Sequence, residues 1–134
     1  MMFQNESVSI SAEAHLVMVR HRIRSYATEA KLGLVDVTKL VTAASELARN
    51  MLVYAGGGRV SIEHADAADR LGIRVTFEDL GPGIADIDLA MTDGYSTEHT
   101  LGLGLPGARR LVDSFEITSQ LGKGTRVVIV KWKR

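Results

Sequence analysis

Val8 and Ile10, with Phe3 ahead of them, alternate with polar neighbours, the period-two signature of a strand with one buried face. The spacing then lengthens. Leu16, Val19, Ile23, Tyr26, Ala27 and Ala30 recur every three or four residues, which predicts a helix from about Ala12 to Leu32 with Gly33 as its C-terminal stop. Arg20, His21, Arg22 and Arg24 fall between them and read as a solvated basic face. Asp36 is placed to cap a second helix, in which Val37, Leu40, Val41, Ala44, Leu47, Ala48 and Met51 form a continuous stripe that ends near Tyr54.

Gly56-Gly-Gly58 is the strongest breaker in the chain. Residues 59–64 and 71–78 alternate again as half-buried strands, with the polar stretch 65–70 as a hairpin connection. A short helix over 86–91 and a polar loop over 92–100, expected to be mobile, come next. Pro106 suits the first turn of a helix reaching about Asp113, with Leu111 and Val112 inward, and residues 115–119 and 125–132 form a closing hairpin across Gly122-Lys-Gly124. Strands joined by short turns must be antiparallel. The expected architecture is therefore an α/β two-layer sandwich, a mixed, mostly antiparallel sheet covered on one face by helices, in a single domain spanning 1–134.

Composition narrows what this layout can do. The chain has 134 residues, enough for one core without disulfides, and no cysteine, which removes thiol catalysis and Cys-based zinc sites. Lys plus Arg and Asp plus Glu both number 16, so no global field recruits nucleic acid or an anionic membrane, and binding must be local. The first residues lack the basic and apolar pattern of a secretory signal, and no apolar run approaches the length of a membrane span, so a cytoplasmic setting is expected. His15, His21, His64 and His99 show no metal-site spacing and read as structural or surface residues.

Three stretches carry candidate chemistry. Glu46 and Asn50 are one helical turn apart and so share a helix face; such pairs are ordinary on helices, but an amide oxygen can ligate Mg²⁺ and a carboxylate can accept a proton. Asp79 ends a strand and enters Gly81-Pro82-Gly83. Glycines there serve a tight turn or a close approach to a flat ligand, and an ionised Asp can accept a hydrogen bond from an exocyclic amino group. Gly102-Leu-Gly-Leu-Pro-Gly107 matches G-x-G-x-x-G, yet no strand leads into it and no acidic residue stands about 20 residues on, so a dinucleotide fingerprint is excluded. The conventional protein-kinase signatures are missing too, and Gly122-Lys-Gly-Thr125 lacks the first glycine of a P-loop. What survives is a glycine loop opening a helix, with backbone N–H groups suited to phosphate.

Taken in order, these motifs resemble those of the GHKL ATPase and kinase superfamily, whose nucleotide-binding domain is the Bergerat, or histidine-kinase-like ATPase, fold. Glu46-x-x-x-Asn50 stands where that superfamily has its N box, Asp79-x-Gly81-x-Gly83 its first glycine box, Gly102-x-Gly104 its second, and Gly124-Thr125 its terminal element. The words Ser-Glu-Leu-Ala-Arg-Asn, Glu-Asp-x-Gly-Pro-Gly-Ile and Leu-Gly-Leu-Gly-Leu-Pro-Gly resemble the anti-sigma factor serine/threonine kinases, most of all the RsbT-type switch kinases. The resemblance implies ATP and Mg²⁺ as cofactors and phosphorylation of a Ser or Thr on a STAS-domain partner. It further implies that the released kinase activates a PP2C-type phosphatase upstream of a stress sigma factor. Direct sequestration of a sigma factor, or a non-catalytic ATP-gated binding module, are the alternatives.

Carried over by residue, the resemblance makes Glu46 the general base and Asn50 the Mg²⁺ ligand. Asp79 would read the adenine amino group, Gly81 and Gly83 would shape the adenine floor, and Thr125 would support Asp79 or an ordered water from the adjoining strand. Residues 96–105 would form a lid whose Gly102, Leu103 and Gly104 offer N–H groups to the phosphates. Two features depart from the pattern: Leu80 replaces a residue often polar, and Glu98-His99 adds bulk to the lid. The lid contains no lysine, which leaves Arg49 and Arg109 as candidate phosphate neutralisers.

Overall fold

A computed structural model describes residues 5–84, 87–91 and 105–134. Its elements are β1 (Asn5–Ile10), α1 (Glu13–Glu29), α2 (Leu34–Ala55), β2 (Gly58–Ala67), β3 (Arg70–Glu78), α3 (Ile87–Ala90), α4 (Leu105–Arg110), β4 (Ser114–Gln120) and β5 (Gly124–Trp132). The strands form one sheet in the order β1-β2-β3-β5-β4. Leu16, Val19 and Ile23 of α1 and Leu40, Ala44, Leu47 and Ala48 of α2 are buried with Val60, Ile62, Ile73, Val75 and Ile129 of the sheet, so both helices cover one face as expected. Among the described residues no helix is long and apolar enough to cross a membrane.

The sheet corrects one expectation: every described strand pair is antiparallel, so it is not mixed. Two successive helices between β1 and β2 carry the chain away and back, which returns β2 antiparallel to β1. Between β3 and β4 the crossover does restore the direction of β3, but the hairpin partner β5 inserts between them. No parallel neighbours result.

Helix ends also differ from the pattern-based reading. Helix α1 stops at Glu29 with Ala30 as its cap, Lys31 takes a left-handed φ of 65°, and Gly33 becomes the N-cap of α2 rather than the stop of α1. Asp36 therefore lies inside the first turn of α2, where it suits the positive end of the helix dipole instead of capping it. At the start of α1, His15 Nδ1 accepts hydrogen bonds from the Ser11 and Ala12 amides at 2.9 and 3.2 Å, replacing the missing side-chain cap. The β2–β3 hairpin is tighter than the polar stretch suggested: both strands extend to a two-residue turn at Ala68-Asp69, with Ala68 at φ 55°. Pro106 lies in a shorter helix than expected, and Leu111 and Val112 pack against the core from just beyond it. Phe3, Asp86 and the loop 92–100 lie outside the described residues.

Two polar side chains are buried on the helix-covered face, in one row of the register: His64 and Lys131 flank Ile73. His64 stacks on Tyr26 with ring centroids 5.2 Å apart, and its Nε2 is 3.8 Å from Glu29. Burial, with Glu6 and Glu29 nearby, pushes the Tyr26 phenol above its ordinary range. Lys131 Nζ lies 3.5 Å from Asp36 and 3.7 Å from Asp113, and Arg134 bonds Asp113 from outside. A cation occupies an apolar strand position because two carboxylates from α2 and from the α4–β4 connection reach it.

Burial opposes ionisation of Asp113. The Trp132 amide at 2.7 Å, Lys131 and Arg134 outweigh it and hold the carboxyl below its usual range. A depressed folded pKa stabilises the fold above the unfolded value, and this contribution is lost as pH falls through the folded value. Asp113→Asn should cost about 1–2 kcal/mol near neutral pH, the worth of a charge-assisted hydrogen bond. Urea unfolding of both proteins between pH 7 and pH 3 should show the difference shrinking with acidification; a constant difference would rule out the charge as its origin.

Candidate functional site

Glu46 and Asn50 lie one turn apart on α2, both half-buried at the margin of its apolar stripe. Arg49 between them turns to the neighbouring helix, its Nη1 3.2 Å from Glu13 Oε1. That pairing directs Arg49 toward α1 rather than toward a shared centre with Asp79, and Arg109 is exposed on α4. Helix α2 then ends at Gly56, whose φ of 77° and amide bond to Leu52 O form a left-handed cap.

The Asp79 loop is docked against that helix end and against the β4–β5 hairpin. A Cβ built on Gly81 would fall 2.5 Å from Ala55 Cβ, and one on Gly58 would meet Met51 Sδ at 2.6 Å and Asp79 Cβ at 3.1 Å. The C-terminal turn of α2, the start of β2 and the end of β3 are thus in direct contact just beyond Asn50. Helix α4 packs on α2 with Ala108 fully buried, so the chain leaving the second glycine motif re-enters beside the same helix.

Within the loop, one oxygen carries the anchoring. Asp79 Oδ1 accepts from the Gly81 amide at 2.9 Å and the Thr125 amide at 3.2 Å, while the Asp79 amide donates to Thr125 O at 3.0 Å. Among the described residues no donor reaches Oδ2. The carboxylate is therefore fixed in direction with an acceptor to spare, which is what an exocyclic amino group requires.

Ser119, which the sequence reading did not single out, ties the surrounding strands. Its hydroxyl accepts from the Ile84 amide at 2.7 Å, donates to Gly124 O at 3.0 Å and meets Thr125 Oγ1 at 2.9 Å. A hydroxyl has one proton, so Thr125 must be the donor in that last pair. Thr125 accordingly touches Asp79 through its amide and Ser119 through its side chain. A serine in an alternating strand carries no local signal for such a junction.

The glycines have a second role beyond the one expected. Gly83, at φ 79°, would place a Cβ 2.3 Å from Gln120 O, and Gly124, at φ 108°, would place one 2.0 Å from Asp79 O. The Gly122 amide also donates to Pro82 O at 2.9 Å. Gly81 and Gly83 thus let the Asp79 loop lie flat on its own protein neighbours, which shapes the loop before any ligand arrives. Gly102, Leu103 and Gly104, with lid residues 96–101, lie outside the described residues; Leu105 is the first residue of α4.

An open cavity of about 980 Å³ adjoins the loop, lined by Asp79, Leu80, Thr125 and the Gly56–Gly58 turn. Glu46, Asn50, Gly81 and Gly83 do not line it. Its lining joins Arg59, Glu78 and Arg126, at strand positions that alternate with the buried core face, to Ala55 and Gly56 at the end of α2, with Asp79 between them.

Comparison with known proteins agrees with this arrangement. The sequence profile of the family described as histidine kinase-, DNA gyrase B-, and HSP90-like ATPase matches residues 35–134. Serine/threonine-protein kinase RsbT of Bacillus subtilis is 44% identical over 127 residues, covering 95% of this chain and 96% of that one. An anti-sigma F factor of Clostridium kluyveri is 26% identical over 126 residues, covering 91% of this chain and 89% of its own. Among solved structures, the RsbU and RsbW domains of a Mycobacterium tuberculosis protein superpose with a TM-score of 0.68 at 19% identity, a likeness of fold. All of this chain is covered in that superposition, which spans 33% of the larger chain.

Gly124→Ala should destabilise the fold by several kcal/mol, about 1–3 from backbone strain alone with the backbone clash added. Gly122→Ala, with a φ of 77° but nothing within 4 Å of the built Cβ, should cost only about 1–2 kcal/mol. Chemical denaturation of the two variants checks this ranking, and equal losses would mean that the Asp79 carbonyl yields to the intruding methyl.

Proposed function

The chain belongs to the family of histidine kinase-, DNA gyrase B- and HSP90-like ATPases, and on that premise we propose that it is a serine/threonine-protein kinase that uses Mg-ATP. The observation that carries the proposal is the directed Asp79 carboxylate at the foot of the helix that bears Glu46 and Asn50. Likeness to a serine/threonine-protein kinase along 95% of the chain supports the same reading.

In this reading Asp79 Oδ2 accepts from the adenine amino group, and Asn50 offers its amide oxygen to Mg²⁺. Glu46, one turn before Asn50, accepts the proton of the partner's Ser or Thr hydroxyl as it becomes a nucleophile. Gly102, Leu103 and Gly104 supply amides to the phosphates, and Thr125 holds Asp79 in place. ATP supplies the transferable phosphoryl group, and Mg²⁺ offsets its charge. Phosphoryl transfer depends mainly on positioning and charge neutralisation, so this small set of side chains is sufficient.

The acceptor is a STAS-domain protein in a partner-switching pathway, and the released kinase activates a PP2C-type phosphatase upstream of a stress sigma factor. A second reading, direct capture of a sigma factor, is favoured by the likeness to anti-sigma F factors. The identity to the RsbT kinase, 44% against 26–28%, supports the first. Mixing the protein with Mg-ATP and each candidate partner separates them: stable sigma-factor capture without phosphatase activation would overturn the preferred reading.

Glu46→Gln should leave ATP affinity nearly intact and slow phosphorylation by about 10²–10⁴, the usual worth of a general base. Asp79→Asn should instead weaken ATP binding itself, since the amide presents a donor where an acceptor is needed. Isothermal titration with ATP and mass spectrometry of the phosphorylated partner read the two effects separately. Equal phosphorylation rates in wild type and Glu46→Gln would remove Glu46 as the base.

A further inference from the structure

On the sheet face turned away from the helices, the strand register lays Ser9, Arg59, Glu78, Arg126 and Thr118 in one row across all five strands, every one exposed. This row floors the 980 Å³ cavity beside Asp79, with Lys123 of the β4–β5 turn at its margin. Arg126 Nε is 3.7 Å from Glu78 Oε2, with both side chains more than half exposed, a geometry that holds neither tightly. Among the described residues Arg59 and Lys123 have no ion-pair partner. The floor and margin thus hold more cationic groups than carboxylates.

The rim adds an apolar element. Leu80 is 93% exposed and lines the cavity, and Leu121 on the adjoining turn is 68% exposed. The bonds of Asp79 to Gly81 and Thr125 hold the backbone on both sides of Leu80. Single exposed leucines are ordinary. Two on loops joined by the Gly122–Pro82 hydrogen bond, beside Arg59, Lys123 and a cavity, form an anchoring surface of the kind that binding sites use.

We propose that this cavity is a docking site for an acidic, leucine-containing segment of a partner protein. Its carboxylates meet Arg59 and Lys123, and its apolar side chain lies against Leu80. Glu78 at the centre of the row and the lack of any aromatic side chain among the lining residues disfavour a nucleic-acid strand, which would need stacking platforms and an unbroken cationic track. The lining includes neither Glu46 nor Asn50, so the occupant would share only the Asp79–Thr125 junction with the nucleotide site proposed above.

The test is a titration of the isotope-labelled full chain, without nucleotide, followed by amide chemical shifts. The probes are the capped peptide Glu-Leu-Glu-Glu-Leu, its Lys-Leu-Lys-Lys-Leu counterpart and a single-stranded oligothymidine. Saturable shifts confined to residues 57–60, 78–80 and 118–126 are expected with the acidic peptide alone, with Kd below about 1 mM. Arg59→Glu with Lys123→Glu should weaken it about tenfold or more, and Leu80→Ser should weaken it less. Equal binding of the basic peptide, preference for the oligonucleotide, shifts confined to the Arg20–Arg24 face of α1, or no shifts at about 1 mM would each overturn the proposal. Because no nucleotide is present, these results are independent of whether the chain transfers phosphate.

Discussion

The two hydrogen bonds accepted by Asp79 Oδ1 are the constraint on which the site depends. One closes the glycine turn on itself, and the other, with the Asp79 amide to Thr125 O, extends the β3–β5 pairing past the end of the strand. A single carboxylate oxygen thereby fixes the loop that leaves β3 to the neighbouring strand β5. Charge-assisted bonds of this type are stronger and more directional than neutral ones, so the second oxygen is presented rather than left to wander. The glycines follow from this anchoring, since the loop can lie on Ala55, Gln120 and the β4–β5 turn only where side chains are missing.

Helix α2 connects this loop to the proposed chemistry. Its apolar stripe is buried from Val37 to Met51, which leaves Glu46 and Asn50 at the edge of the packed surface with rotation about the helix axis already settled. Its left-handed cap at Gly56 then turns the chain directly into β2, whose first residue, Gly58, leaves no room for a Cβ beside Met51 and Asp79. The distance along the helix from Asn50 to the cap therefore sets the distance from the metal-binding candidate to the adenine-reading candidate. Lengthening or kinking α2 in that last turn would separate them without altering either side chain.

How much of this was legible in the sequence divides by the range of the interaction involved. Glu46 and Asn50 could be placed on one helix face because their relation is local, and Asp79 could be placed in a glycine turn for the same reason. Ser119 could not, because its importance comes from Ile84, Gly124 and Thr125 meeting in space. Lys131 reads as a break in an apolar strand until Asp36 and Asp113 are seen to reach it. The all-antiparallel sheet likewise depends on β5 inserting beside β3, a choice between neighbours that periodicity does not encode. A glycine between two periodic segments serves equally as a stop or a start, so the pattern does not tell that Gly33 caps α2 while Lys31 takes the left-handed position after α1.

Asp79 and Thr125 lie where two groups of polar side chains approach one another. On α2 stand Glu46 and Asn50, one turn apart and half-buried. On the open side of the sheet stand Arg59, Arg126, Lys123 and the exposed Leu80. The backbone of Leu80 is bonded through its neighbours to the same Thr125 that orients Asp79. A ligand on either side that shifts this backbone must change the energy of the other side by the same amount, because coupling between two binding equilibria is reciprocal. The clamped Asp79 loop is the part of this fold through which such coupling would run.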